Sequence, residues 1–176
     1  MVSSFLLDVT VDKFDGGHYA PGEKLTISGT AAKAGYLYLF YLDSHARLAV
    51  MFPHGGIDNR IPAQQRFELP AGGGDMWRTL GNPGTHRVKA VVASMPLIIS
   101  GLMPAADGAA QPREFFLPPS QRAMFQMILG KHQKGQPIGG EEFGGASPEQ
   151  FLGEFAQDEV AFYVGPISPV EGGRGP

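Results

Sequence analysis

An uninterrupted apolar run at residues 35–42, Gly-Tyr-Leu-Tyr-Leu-Phe-Tyr-Leu, sets the strongest limit on how this chain folds. Side chains of a β-strand point alternately to the two faces of a sheet, and here both alternating sets are aromatic or aliphatic. Such a strand is typical of the centre of a sheet that is covered on both sides. We therefore expect residues 35–42 to form a central strand with material packed on each face.

Shorter segments on both sides of this run predict further strands, because apolar and polar residues alternate in them and Gly-Pro turns separate them. A hairpin is predicted between residues 76–80 and 85–93. The regular spacing of the segments is typical of a β-sandwich or barrel. The sequence therefore predicts a mainly β protein, an antiparallel β-sandwich with immunoglobulin-like layered sheets. The other predicted strands are residues 5–12, 23–28, 48–52, 66–70 and 160–164.

The chain changes character after residue 95, where Gly, Ala and Pro become frequent. Residues 118–130 predict a short helix, because Ser120 can cap it and Met124, Met127 and Ile128 share one face. A second helix is predicted to begin at Ser147, with Phe151, Leu152 and Phe155 facing the sheet. We expect a single domain at residues 1–165 with a helical excursion over about 96–158. A flexible tail is expected at residues 166–176.

Charge and cysteine content exclude several classes of function. The net charge of −3 has the wrong sign for a protein that neutralises nucleic-acid phosphates. The absence of cysteine excludes disulfides and thiolate metal sites. Polar residues, Pro96 and Gly101 interrupt the longest apolar stretch, at residues 88–103, so no membrane insertion is expected. With no leader visible, a cytoplasmic location is expected, or an envelope-associated one if the chain belongs to a longer or processed protein.

No constellation of catalytic residues stands out. A hydrolase needs a nucleophile, a base and an orienting acid that meet in space, and Ser94 lacks the Gly-x-Ser-x-Gly elbow. The scattered histidines are interpreted as surface groups, and the aspartates in turns as solvated. We therefore expect no enzyme activity, no cofactor and no metal, with a small hydrolase or metal-dependent enzyme as an alternative. The histidines are His18, His45, His54, His86 and His132.

Several residues are candidates for binding instead. Trp77 is interpreted either as a core residue or as a stacking platform for a sugar or peptide. Met124 and Met127 have soft, adaptable side chains that suit either packing on the sheet or a recognition surface. The other candidates lie in or beside the polar loop at residues 53–60. They are Phe52, His54, Asp58, Asn59 and Arg60.

A set of short motifs in a fixed order resembles a known bacterial family, the domains of unknown function numbered 4384. The resemblance covers about residues 5–95, with 160–164 as a closing strand. Two departures from the family are His54, where Asn is usual, and His86, where an acidic residue is usual. The motifs are Tyr19–Glu23, Gly35–Phe40, Met51–His54, Asp58–Asn59, Ile61–Pro62, Phe67–Pro70, Gly84–Thr85 and Val88–Ser94.

The resemblance implies a β-sandwich module attached to signalling kinases, caspase-like peptidases or envelope proteins. It implies no catalytic residue, because none is assigned in the family. We therefore expect a non-enzymatic interaction or accessory module that binds a protein partner in a bacterial signalling or envelope-associated system. A carbohydrate- or peptide-binding domain that uses Trp77 is a further alternative.

Overall fold

A computed structural model describes residues 3–45, 48–53, 57–71, 77–96 and 153–166. Within these ranges the protein is mainly β and contains no helix, so none there could cross a membrane. The strands of the described residues are β1 (Leu7–Val11), β2 (His18–Tyr19), β3 (Ile27–Ala31), β4 (Gly35–Leu42), β5 (Leu48–Phe52), β6 (Arg60–Ile61), β7 (Arg66–Leu69), β8 (Gly84–Ala93) and β9 (Phe155–Val164).

These strands form two sheets. The smaller sheet has three antiparallel strands in the order β1-β3-β7. The larger has six strands in the order β2-β9-β8-β4-β5, with β6 also paired to β4. Its longest pairing joins β8 and β9, from Gly84 opposite Val164 to Ala93 opposite Phe155.

The prediction of purely antiparallel sheets is wrong at one edge, where β2 runs parallel to β9. The turn after β1 lies along the free edge of β9, and the Gly16 amide donates to the Ala161 carbonyl at 2.7 Å. The Tyr163 amide donates to the Gly17 carbonyl at 2.8 Å. A short parallel pair results because the chain follows this edge before crossing to the other sheet.

The prediction for residues 35–42 is confirmed, since β4 has these bounds and lies between β8 and β5. Leu37, Leu39 and Tyr41 are buried on one face. Tyr38 and Phe40, on the opposite face, are 2% and 0% exposed. The central strand is therefore covered on both sides.

One hydrophobic cluster contains side chains from both sheets. Val9, Val11 and Ile27 come from the smaller sheet, and Leu39 and Phe162 come from the larger. Leu7, Val9 and Val11 alternate with less buried residues along β1, as the period of two in the sequence predicts. Burial of apolar surface of this kind is the main favourable term in folding.

A single carboxylate links the edge of β1 to β9. The Val9 amide donates to Oδ2 of Asp158 at 2.7 Å, and the Glu159 amide donates to Oδ1 of the same side chain at 2.9 Å. We expect Asp158→Ala to lower the free energy of unfolding by about 1–3 kcal/mol, because a partly buried amide loses its acceptor. Urea denaturation measures this. Asp158→Asn keeps an acceptor and should cost less, so equal losses in the two variants would contradict the role of the hydrogen bonds.

The predicted hairpin between residues 76–80 and 85–93 is wrong. Strand β8 is flanked by β4 and β9, so neither of its edges is open to this segment. Arg78 instead forms an isolated bridge with Lys24. The Leu25 amide donates to the Trp77 carbonyl at 2.9 Å, which joins this segment to the one before β3.

The last strand begins at Phe155 rather than at residue 160. Residues 155–158, predicted to belong to the helical excursion, are strand because they continue the ladder with β8 to its end. The predicted helices at 118–130 and from Ser147 lie outside the described residues, as do residues 167–176.

Candidate functional site

A cavity of about 270 Å³ lies where β4, β5, β6 and β7 approach Trp77. Its walls are mostly apolar and come from segments far apart in the sequence. Arg60 and Asp58 supply its charged groups. The lining residues are Leu37, Phe52, Ile57, Asp58, Arg60, Ile61, Phe67, Leu69, Pro70, Ala71 and Trp77.

Trp77 and Phe52 form part of the cavity wall. Each side chain is 4% exposed and belongs to the cluster shared by the two sheets. The indole is therefore a core group with one surface on the cavity, and it is not an open stacking platform. An apolar wall of this kind favours an apolar ligand group.

The exposed lining residues, which we call the mouth of the cavity, are Ile57, Asp58, Arg60 and Ala71. The Arg60 guanidinium donates from Nε and Nη2 to the Tyr36 hydroxyl at 3.1 and 2.9 Å, and it lies 5.2 Å from the centre of that ring. The hydrogen bonds to Tyr36 raise the pKa of Arg60, so it remains cationic. Asp58 accepts the Arg60 amide at 3.0 Å. Ile57 beside them is 50% exposed.

Asn59 fixes the chain before β6 onto the central strand. Its Nδ2 donates to the Leu37 carbonyl at 3.0 Å, and its own carbonyl accepts the Leu37 amide at 2.8 Å. Asn59 does not line the cavity but holds its neighbours Asp58 and Arg60 in place. This residue therefore positions the mouth of the cavity.

The predicted binding residues are thus partly brought together. Phe52, Asp58, Arg60 and Trp77 share the cavity. His54, Met124 and Met127 lie outside the described residues. Sequence reasoning missed Ile57 and treated Phe67 and Leu69 only as inward-facing residues of a strand. Their role in the cavity depends on the neighbouring strands, which no local pattern specifies.

The groups considered for catalysis have separate structural partners. Ser94 Oγ accepts the Glu154 amide at 3.0 Å. The described residues contain no cluster of three or more His, Cys, Asp or Glu side chains that could hold a metal ion. The aspartates of the turns accept backbone amides at different places, as Asp15 does from Ala161 and Asp43 from His45. Within the described residues, these groups therefore form structural hydrogen bonds at separate places.

The interpretation of His86 as a surface group is wrong, because the side chain is 0% exposed. Its Nε2 lies 2.8 Å from the Asn82 carbonyl, which can only accept, so Nε2 carries the proton. Nδ1 then accepts from the Tyr41 hydroxyl at 2.7 Å. The same hydroxyl accepts the Leu80 amide at 3.2 Å. His86 is therefore the centre of a buried hydrogen-bond network.

Comparison with protein families agrees with the resemblance seen in the sequence. Residues 18–96 match the model of the family described as Domain of unknown function (DUF4384). The match includes the segments that form the cavity, from β4 to Trp77. Searches of curated proteins and of solved structures found no match.

Proposed function

From the match of residues 18–96 to the family of domains of unknown function DUF4384, we propose that the protein is a non-enzymatic interaction module that binds a protein partner. The cavity beside Trp77 carries this proposal. It receives one apolar side chain of the partner, and Arg60 at its mouth meets an adjacent acidic group. The partner belongs to a bacterial signalling or envelope-associated system.

The fold we propose for this module is a β-sandwich with immunoglobulin-like layering. The support is the shared cluster, in which residues of β1 and β3 pack with residues of β4, β8 and β9. Two sheets that bury their facing side chains together are the defining feature of a sandwich. The cavity then lies at one end of the space between the sheets.

The size of the cavity favours an anchoring side chain over a larger ligand. Pockets for drug-sized molecules usually have volumes of about 300–1,000 Å³. At about 270 Å³ this cavity is below that range. Protein interfaces commonly place a single aliphatic or aromatic anchor in such a pocket and surround it with a polar rim. Arg60 and Asp58 supply that rim.

The charged groups at the mouth indicate which charge the partner carries beside its apolar anchor. Asp58 already accepts an amide, whereas the Arg60 guanidinium is oriented by Tyr36. Guanidinium groups pair with carboxylates through parallel hydrogen bonds. An acidic residue next to the apolar anchor therefore fits the site better than a basic one. A sugar fits poorly, because the walls offer few polar groups for its hydroxyls.

The fluorescence of Trp77, the single tryptophan of the chain, tests the proposal directly. We expect the peptide acetyl-Gly-Phe-Asp-Gly-amide to change the emission saturably. The same peptide with Ser in place of Phe should have no effect. Ile57→Glu should weaken binding at least about tenfold, which corresponds to about 1.4 kcal/mol, because a carboxylate at the mouth repels the Asp of the peptide.

Two further variants complete this experiment. Leu6→Glu adds the same charge at an exposed hydrophobic residue outside the cavity and should leave the affinity unchanged. Arg60→Gln should reduce the preference for Asp over Asn in the peptide. Failure of peptides with Phe, Leu, Ile and Met anchors to change the emission, or equal binding by Ile57→Glu, would overturn the proposed function.

A further inference from the structure

The larger sheet has a second apolar face, opposite the one that joins the two sheets. Its residues share one side of the pleat, since Tyr38 lies opposite Val91, Phe40 opposite Val50, and Ala93 opposite Phe155. None of them belongs to the cluster shared by the two sheets. We call this set the second face. It consists of Tyr38, Phe40, Val50, Val91, Ala93 and Phe155.

The second face is as well buried as the first. Each of its residues is at most 7% exposed. The apolar residues of β1 and β3 are part of the cluster on the first face, so the smaller sheet does not account for this burial. Apolar area of this extent is rarely left open to water in a folded domain. A layer from elsewhere in the chain must therefore lie on it.

The path of the chain indicates which segment supplies this layer. Strand β8 ends at Ala93 and β9 begins at Phe155, directly opposite, and both residues belong to the second face. The Ser94 amide donates to the Glu154 carbonyl at 2.8 Å, which closes the base of the excursion. Hairpin loops usually need only about 2–5 residues. The connection from β8 to β9 thus begins and ends at the edge of this face, and residues 97–152 make it far longer than a hairpin requires.

We propose that the second face is the docking surface for residues 97–152 of the same chain, with the apolar stretch 124–129 lying against it. This stretch, Met-Phe-Gln-Met-Ile-Leu, supplies flexible apolar side chains that fill irregular gaps. The occupant is the chain itself, which makes this contact independent of the partner-binding cavity. A second copy or another protein are the rival occupants.

Of the two charged residues on this side of β8, Arg87 is exposed and Lys89 is buried, and the burial of Lys89 supports a closed layer. Lys89 lies between Phe40 and Glu159 in the sheet and is largely buried. Burial lowers its pKa, and the nearby Glu159 partly offsets this effect. A lysine on an open sheet surface would place its ammonium group fully in water. Its environment is therefore the one expected beneath packed apolar side chains.

The absence of native cysteine allows a clean test in the full chain. Val91→Cys places a single thiol on the second face, and Val92→Cys places one on the first. Met124→Asp with Met127→Asp should raise the labelling rate of the thiol at position 91 at least tenfold and leave that of the thiol at position 92 unchanged. The matched pair Ile138→Asp with Phe143→Asp should alter neither rate. An unchanged rate at position 91 would overturn the proposal.

A cross-link provides a second measurement, which does not require the protein to fold with aspartates at positions 124 and 127. Under mild oxidation, Val91→Cys combined with Met127→Cys or with Met124→Cys should form an intramolecular disulfide, detected by peptide mapping. Val92→Cys with the same partners should not. Disulfides found only between molecules, or protection of the thiol at position 91 that falls on dilution, would identify a second copy as the occupant and refute the proposal. Cross-linking to neither methionine position would refute it too.

Discussion

Between pH 10 and pH 12 the free energy of unfolding is expected to fall by up to about 2.7 kcal/mol per pH unit, because two buried tyrosines hold their protons in the folded state. Burial is the main cause that raises the pKa of Tyr19 and of Tyr41 above the usual range. The Tyr19 hydroxyl donates to Asp12 at 2.8 Å, so the proton is also held by a hydrogen bond. The Tyr41 hydroxyl donates to His86.

The fall in the free energy of unfolding with rising pH follows from the numbers of protons bound by the folded and unfolded states. Tyrosines of the unfolded chain ionise near pH ~10, whereas those of the folded protein remain neutral, so above this pH the unfolded state binds fewer protons. Their contribution to stability is complete below pH ~10 and is lost as the pH rises towards the folded values. The pKa of Lys89 is lowered in the folded protein, so this residue makes the free energy of unfolding rise with pH until the pKa of lysine in the unfolded chain is reached.

Guanidinium denaturation at pH 9 to 12, monitored by Trp77 emission, measures how steeply the free energy of unfolding falls with pH. Tyr19→Phe should remove about 1.4 kcal/mol per pH unit of this slope, one proton's share. Tyr163→Phe, at an exposed side chain, provides the matched control and should leave the slope as it is. A stability that is flat over this range, or equal effects of the two substitutions, would contradict the assignment.

His86→Leu is expected to lower the free energy of unfolding by about 2–5 kcal/mol at neutral pH, since it removes both hydrogen bonds of a buried ring. The Tyr41 hydroxyl loses its acceptor and the Asn82 carbonyl loses its donor. The ring also stacks on Phe162, with ring centres 6.1 Å apart, so the loss of packing adds to the cost. Thermal and urea denaturation measure the change.

A double-mutant cycle separates the hydrogen bond from the packing. In the His86→Leu background, Tyr41→Phe removes the hydroxyl that lacks an acceptor and should cost much less than it does in the unaltered protein. His86→Gln can still accept and donate, and should retain part of the stability. Strictly additive losses from His86→Leu and Tyr41→Phe would show that the two groups do not act as a network.

The sequence predicted those parts of the fold that depend on local pattern. Strand β4 was predicted with its observed bounds because apolar residues on both faces identify a central strand whatever its neighbours are. Strands β2 and β6 were not predicted, because two-residue strands arise from the path of the chain along an existing edge. The hairpin at residues 76–93 failed because no local pattern records that β4 and β9 already occupy both edges of β8.

In the candidate site too, local pattern identified some residues, whereas others depend on the pairing of distant strands. Phe52, Asp58 and Arg60 were selected from one loop and its motif, and they do lie together at the cavity. Phe67 and Leu69 complete the walls only because β7 pairs with β3 on the other sheet. The burial of His86 depends on Tyr41, which is close in space but far along the chain. Residues that act through pairing with distant strands cannot be found from one segment alone.

The position of β9 between β2 and β8 also bears on how the protein forms during synthesis. The chain must extend past Val164 before β2 can pair, because His18 lies opposite Tyr163. Asp158, which holds the edge of β1, emerges from the ribosome equally late. Contacts between such distant residues are the slow step in the folding of small domains. Strand β2 is therefore made early but reaches its partner late, whereas β1 can pair with β3 as soon as residues 27–31 have been made.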